Sequence, residues 1–125
     1  MLEKKIAEQK LENAVIMTGN VMNVADYLSA MDVFAFPSLY EGMPLSIIEV
    51  QANGLPCILS TGVPRDVYLT DLIRPLALDK PEEWIDAICK SCRTHDTDYQ
   101  EQLIRSGFDT AAAMRKIYDI YERKN

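Results

Sequence analysis

Two short apolar runs, Val33-Phe34-Ala35-Phe36 and Cys57-Ile58-Leu59, set most of what this chain can fold into. Neither alternates with polar residues, so neither suits a strand with one wet face. Both read as strands buried from two sides. Between them Leu45 to Asn53 has helical character, with Pro44 at a favoured first helical position and Gly54 as its stop. Buried strand, helix and buried strand form a crossover unit, and such units build parallel sheets. The alternation runs the length of the chain. Helices are expected at 2–12, 23–30, 44–53, 81–92, 97–106 and 109–123, with a short one near 64–68. Strands are expected at 14–18, 33–37 and 56–60, with a short one near 74–78. The expected fold class is α/β, a parallel sheet covered by helices on both faces. Val15–Thr18, Val33–Phe36 and Cys57–Ser60 should be neighbours, with Gly19, Glu41 and Thr61 beyond their carboxyl ends, where ligand crevices of such sheets lie.

The loop-to-helix junction between the two apolar runs carries the chemistry. It reads Glu41-Gly-Met-Pro-Leu-Ser-Ile-Ile-Glu49, two carboxylates separated by seven residues. One belongs to the loop at a strand's carboxyl end, the other lies about one turn into the helix. The helix N-terminus between them has free N–H groups and the positive end of a dipole. Such a site suits an anionic centre flanked by hydroxyls, since amides hold phosphate and carboxylates accept from hydroxyl groups. Ser46, Glu49 and Asn53 share one narrow stripe of the helix, while Leu45, Ile47, Ile48, Val50 and Ala52 cover most of the rest. The competing view is that Glu49 merely meets solvent at the edge of a core helix.

The run Asp32-Val-Phe-Ala-Phe-Pro-Ser-Leu-Tyr-Glu-Gly-Met-Pro-Leu-Ser-Ile-Ile-Glu-Val-Gln-Ala-Asn-Gly-Leu-Pro56 resembles the donor-site signature of group 1 (family 4) glycosyltransferases. Upstream, Val15 to Val21 and Tyr27-Leu28 resemble the strand, glycine turn and helix that precede it, and downstream Cys57 to Ser60 resembles the next strand. The likeness covers about residues 11 to 90. Leu39-Tyr-Glu-Gly-Met-Pro-Leu45 and Pro81-Glu-Glu-Trp84 are most similar to capsular and exopolysaccharide biosynthesis members. Two departures stand out. Met43-Pro44 replaces the Phe-Gly or Leu-Pro of many members, which bears on sugar preference, and Val50 replaces the usual Ala, a packing change.

The resemblance implies a retaining enzyme of the GT-B architecture, with two facing Rossmann-like domains. Residues 1–125 would be a single incomplete donor-nucleotide-sugar-binding domain, the C-terminal portion of such an enzyme. It also implies an acceptor-binding N-terminal domain as partner, and upstream Arg and Lys residues that hold the diphosphate. Carried over by residue, Glu41 would bind the transferred sugar near its reacting carbon. Gly42, Met43, Pro44 and Leu45 would present backbone to the diphosphate, Glu49 would accept from ribose hydroxyls, and Gly19 and Val21 would line the base pocket. Gly42 suits its place, because a residue without Cβ lets ligand approach the backbone. No cofactor is expected besides the nucleotide diphosphate sugar donor, which is a substrate.

Composition narrows the alternatives. The net charge of −6 and pI near 4.7 argue against a nucleic-acid surface. No run approaches a membrane span and the charged start is no secretion signal, so cytoplasmic residence is expected, with peripheral membrane contact left to the full enzyme. Three cysteines fit a reducing compartment. Cys89 and Cys92 form a lone C-x-x-C without a second pair, and a single histidine, His95, excludes a zinc site needing two. Asp96-Thr97-Asp98 matches a three-residue metal pattern but also a common helix cap, so no metal is expected. Neither a P-loop nor a G-x-G-x-x-G turn is present. In the last helix Met114, Ile117, Tyr118 and Tyr121 share an apolar face, and an open sheet edge would favour a homodimer. The rival class is a non-catalytic fragment that binds a nucleotide sugar or acts through protein contact.

Overall fold

The computed structural model describes residues 2–93 and 98–122. Its elements in chain order are α1 (Leu2–Glu8), α2 (Val24–Ala30), β1 (Phe34–Phe36), α3 (Leu45–Ala52), β2 (Cys57–Ser60), a 3-10 turn (Arg65–Val67), β3 (Ile73–Leu76), α4 (Pro81–Lys90), α5 (Tyr99–Arg105) and α6 (Thr110–Glu122). The strands form one parallel sheet in the order β1-β2-β3. Phe34 is opposite Cys57 and Cys57 opposite Ile73, so these residues share a face.

That face carries the main core. Cys57 and Leu59 of β2 pack with Leu28 of α2, Ile47 and Val50 of α3, and Val63 and Val67 after β2. The other face is covered by α4, whose Trp84 and Ala87 enclose Ile58. Trp84 Nε1 donates to Ala77 O at 2.8 Å, so the ring is buried without orphaning its one donor. The α/β class with both faces covered is what the apolar runs imply, because β2 is buried along its whole length.

Helix ends follow local chemistry. After α3, Gly54 takes a left-handed φ of +70°, its N–H donates to Gln51 O at 3.0 Å, and Leu55 N donates to Val50 O at 3.1 Å. These two bonds satisfy carbonyls the helix leaves open. The same pattern ends α1 at Glu8 rather than at residue 12, with Lys10 in the left-handed region at φ +55°.

The expected strand at 14–18 does not form. Ala14 N and Val15 N both donate to Leu11 O at 2.9 Å, so a turn takes up the amides that would open a ladder. Val15, Ile16 and Met17 are exposed, and β1 pairs only with β2 among the described residues. Apolar composition makes a strand only where a neighbour accepts its hydrogen bonds.

Cys57 shows what burial in this core does. Desolvation pushes its thiol from 9.0 up to about 12. The unfolded chain therefore releases this proton first as pH rises. The contribution of this thiol to stability is constant below about pH 9 and falls between pH 9 and 12, by about 1.4 kcal/mol per unit. Urea unfolding at pH 8 and pH 10 should show this loss, and Cys57→Ala should flatten it.

Candidate functional site

The site forms where the chain leaves β1. The β1–α3 loop is held from the side by the segment that follows β2. Ser60 Oγ donates to Ser38 O across the two strand ends. Gly62 approaches so closely that a Cβ there would lie 2.1 Å from Leu39 O and 2.8 Å from Leu39 C. Within the loop, Ser38 Oγ donates to Glu41 Oε1 at 2.7 Å, and Glu41 is half-buried. These contacts hold the loop that carries Glu41 against the residues at the end of β2.

Pro44 is the N-cap of α3 rather than its first residue, because its ψ of 102° is extended and the helical path starts at Leu45. It offers no side-chain acceptor to the helix. Nor does proline carry an N–H, so donors at this junction come from Gly42, Met43 and Leu45, continuing into Ser46. Gly42 and Met43 are exposed, and Leu45 is 65% exposed rather than part of the buried circumference. A helix N-terminus without a side-chain cap, among exposed residues, is a ready anion site.

Glu49 lies one turn further on and is exposed. It lines a cavity of about 270 Å³ together with Val24, Ala25 and Leu28 of α2, Ala52 and Asn53 at the end of α3, and Gln100 of α5. Asn53 Nδ2 donates to Ser29 Oγ at 3.2 Å, so the ends of α2 and α3 meet. The segment holding Gly19 and Val21 lies just before α2. Val21 is half-buried, and Gly19, at φ +61°, has open space around it. No hydrogen bond among the described residues joins Gly19 to Glu41 or Thr61.

Three residues that the sequence reading passed over hold this arrangement. Gln51 is fully buried on α3 and makes five hydrogen bonds. Its Nε2 donates to Ile47 O and Val67 O, and its Oε1 accepts from Leu69 N, Thr70 N and Thr70 Oγ1. Arg93 closes the opposite end. Its Nη1 donates to Leu28 O, Ser29 O and Met31 O, and its Nη2 to Asn53 O and Oδ1, placing a cation at the carbonyl ends of α2 and α3. Ser38 is the third. A lone amide in an apolar helix was a readable signal for Gln51; the approach of Arg93 from far along the chain left none.

Other expectations fall away from the site. Cys57, Cys89 and Cys92 are free thiols, the last two exposed at the end of α4. Asp98 caps α5 by accepting from Glu101 N, while His95, Asp96 and Thr97 lie outside the described residues. Among the described residues there is no cluster of three or more metal-capable side chains, and no helix is long and apolar enough to cross a membrane.

Comparison with known proteins gives a consistent family. Residues 1–93 match the model described as glycosyl transferases group 1. The chain is similar to a putative glycosyltransferase EpsF of Bacillus subtilis, 30% identical over 99% of this chain and 34% of that protein. It is also similar to an Escherichia coli UDP-Gal:alpha-D-GlcNAc-diphosphoundecaprenol alpha-1,3-galactosyltransferase, 30% identical over 91% of this chain and 31% of that protein. A putative teichuronic acid biosynthesis glycosyltransferase TuaC of Bacillus subtilis is 51% identical over 34% of this chain and 12% of its own length. The chain spans about a third of the length of the first two. No solved structure matches it.

Proposed function

This chain belongs to the group 1 glycosyl transferases, and we propose that it supplies the donor-binding part of a retaining GT-B enzyme. In this reading the enzyme moves a sugar from a nucleotide diphosphate sugar to a glycan or lipid-linked acceptor in surface polysaccharide biosynthesis. The observation that carries the reading is the β1–α3 junction, an uncapped helix N-terminus with a carboxylate before it and another one turn in. The acceptor class is supported by the relatives' names, which speak of a diphosphoundecaprenol-linked sugar and of teichuronic acid.

Each residue then has a physical task. The amides of Gly42, Met43 and Leu45, with the dipole of α3, hold the diphosphate and stabilise its growing charge as it leaves. Glu49 accepts from the ribose hydroxyls, with α2 as the cavity wall. Val21 and Gly19 border the base. Glu41 binds the transferred sugar near the reacting carbon. The donor is a substrate, and the reading calls for no separate cofactor. The acidic surface is unsuited to nucleic acid, and the free thiols suit the cytoplasm.

The test is kinetic, in the intact transferase that carries this chain. Glu49→Ala should mainly weaken donor binding, by about 1–3 kcal/mol, because it removes charge-assisted hydrogen bonds. Glu41→Ala should lower kcat more than affinity, since its partner changes geometry in the transition state. Unchanged kcat and donor choice in Glu41→Ala would reduce Glu41 to a loop-fixing residue.

The isolated chain should self-associate, with the edge of β1 that pairs with no strand among the described residues as the seam. Light scattering at rising concentration should show a dimer; a persistent monomer would remove this part of the proposal.

A further inference from the structure

We infer that Ser38 is a positioning residue for Glu41, fixing its carboxylate through a chain of contacts that begins on β2. The inference rests on the donor-site reading above, in which Glu41 meets the transferred sugar.

A serine hydroxyl has one proton to donate. Ser38 Oγ has two acceptors in reach, Glu41 Oε1 at 2.7 Å and Tyr40 O at 3.3 Å. The shorter bond goes to the charged acceptor, which is the stronger of the two kinds. Ser38 is itself held, because its carbonyl accepts from Ser60 Oγ at the end of β2. Gly62 presses on the carbonyl of Leu39 at the next peptide. The two successive peptides from Ser38 to Tyr40 are thus gripped from the β2 side.

Glu41 needs such a hold. It stands between Tyr40, which is 84% exposed, and Gly42, which has no heavy atom near where a Cβ would stand. Among the described residues no cation pairs with its carboxylate. A glutamate has three side-chain torsions to settle, and ordering them when substrate arrives would cost affinity or rate. The Ser38 hydroxyl fixes one carboxylate oxygen beforehand.

The experiment is a double-mutant cycle in the intact transferase, reading kcat and KM with a nucleotide-sugar donor. Ser38→Ala should lower kcat about tenfold with KM for donor nearly unchanged, the loss expected for one charge-assisted hydrogen bond. In a Glu41→Ala background the same change should have no further effect on kcat. Ser38→Thr, which keeps the hydroxyl, should restore most of the rate, and thermal melting would confirm that each variant folds. An equal loss in both backgrounds, or no loss where Glu41→Ala is slow, would overturn the role of Ser38 and leave the donor-site reading standing. A Glu41→Ala enzyme with unchanged kcat would overturn that reading itself, and this inference with it.

Discussion

Replacing Gln51 with leucine should cost about 3–5 kcal/mol in stability, despite the gain of an apolar side chain in an apolar setting. Gln51 is fully buried and ties α3 to the stretch from Val67 to Thr70. Leucine fills a similar volume but leaves Leu69 N–H, Thr70 N–H and Val67 C=O without this partner. Each buried polar group left unmatched costs about 1–3 kcal/mol, moderated here because Leu69 and Thr70 are half-buried and admit water. Gln51→Glu separates the two halves of the argument. It keeps an acceptor for Leu69 and Thr70 but turns an oxygen toward the carbonyls of Ile47 and Val67, and it buries a charge. Its carboxyl should titrate above the unfolded value, so this variant should gain stability as pH falls. Denaturant midpoints measured at neutral and acid pH give both results. A loss under about 0.5 kcal/mol for Gln51→Leu would mean the 67–70 stretch is not held by this side chain.

Gly62→Ala should be nearly as severe, about 2–4 kcal/mol, through overlap rather than lost bonding. The added methyl would meet backbone, Leu39 O at 2.1 Å and Leu39 C at 2.8 Å, with no flexible side chain to give way. One of the two strand-end loops must move. The movement acts on the Ser38–Tyr40 backbone that Ser60 and Gly62 hold, so it should disturb Glu41 along with the fold. Chemical denaturation reads the first effect, and kcat at a temperature where the variant is folded reads the second. An alanine variant of near-parental stability would show that these loops slide freely past each other.

Much of this is legible in the chain itself. The β2 run Cys57-Ile58-Leu59 is buried on two faces and reads so, because only a doubly covered strand tolerates unbroken apolar sequence. The Gly54 stop and the Pro81 start were equally plain, since each depends on one residue's backbone chemistry. The stretch at 14–18 was misread because its apolar residues satisfy a composition rule, while a strand also needs a partner, and Leu11 O instead draws Ala14 and Val15 into a turn. For the site, the Glu41–Glu49 spacing was readable along the chain. The clamp of Ser60 on Ser38, and the joining of α2 and α3 by Arg93, were not. Those contacts join residues far apart in sequence, and only the crossover geometry brings them together.

The central claim is that the β1–α3 junction holds a nucleoside diphosphate. Titrating the isotope-labelled chain with the diphosphates of the common nucleosides, and mapping amide shifts by NMR, tests it most directly. At least one diphosphate should shift the amides of Gly42, Met43, Leu45 and Ser46 together with those of Glu49 and Val21. The matching monophosphate should shift the first group less, and Glu49→Ala should weaken the binding about 5- to 150-fold. Saturable shifts confined to α4 and α6, or none at the β1–α3 junction with any diphosphate, would contradict the account.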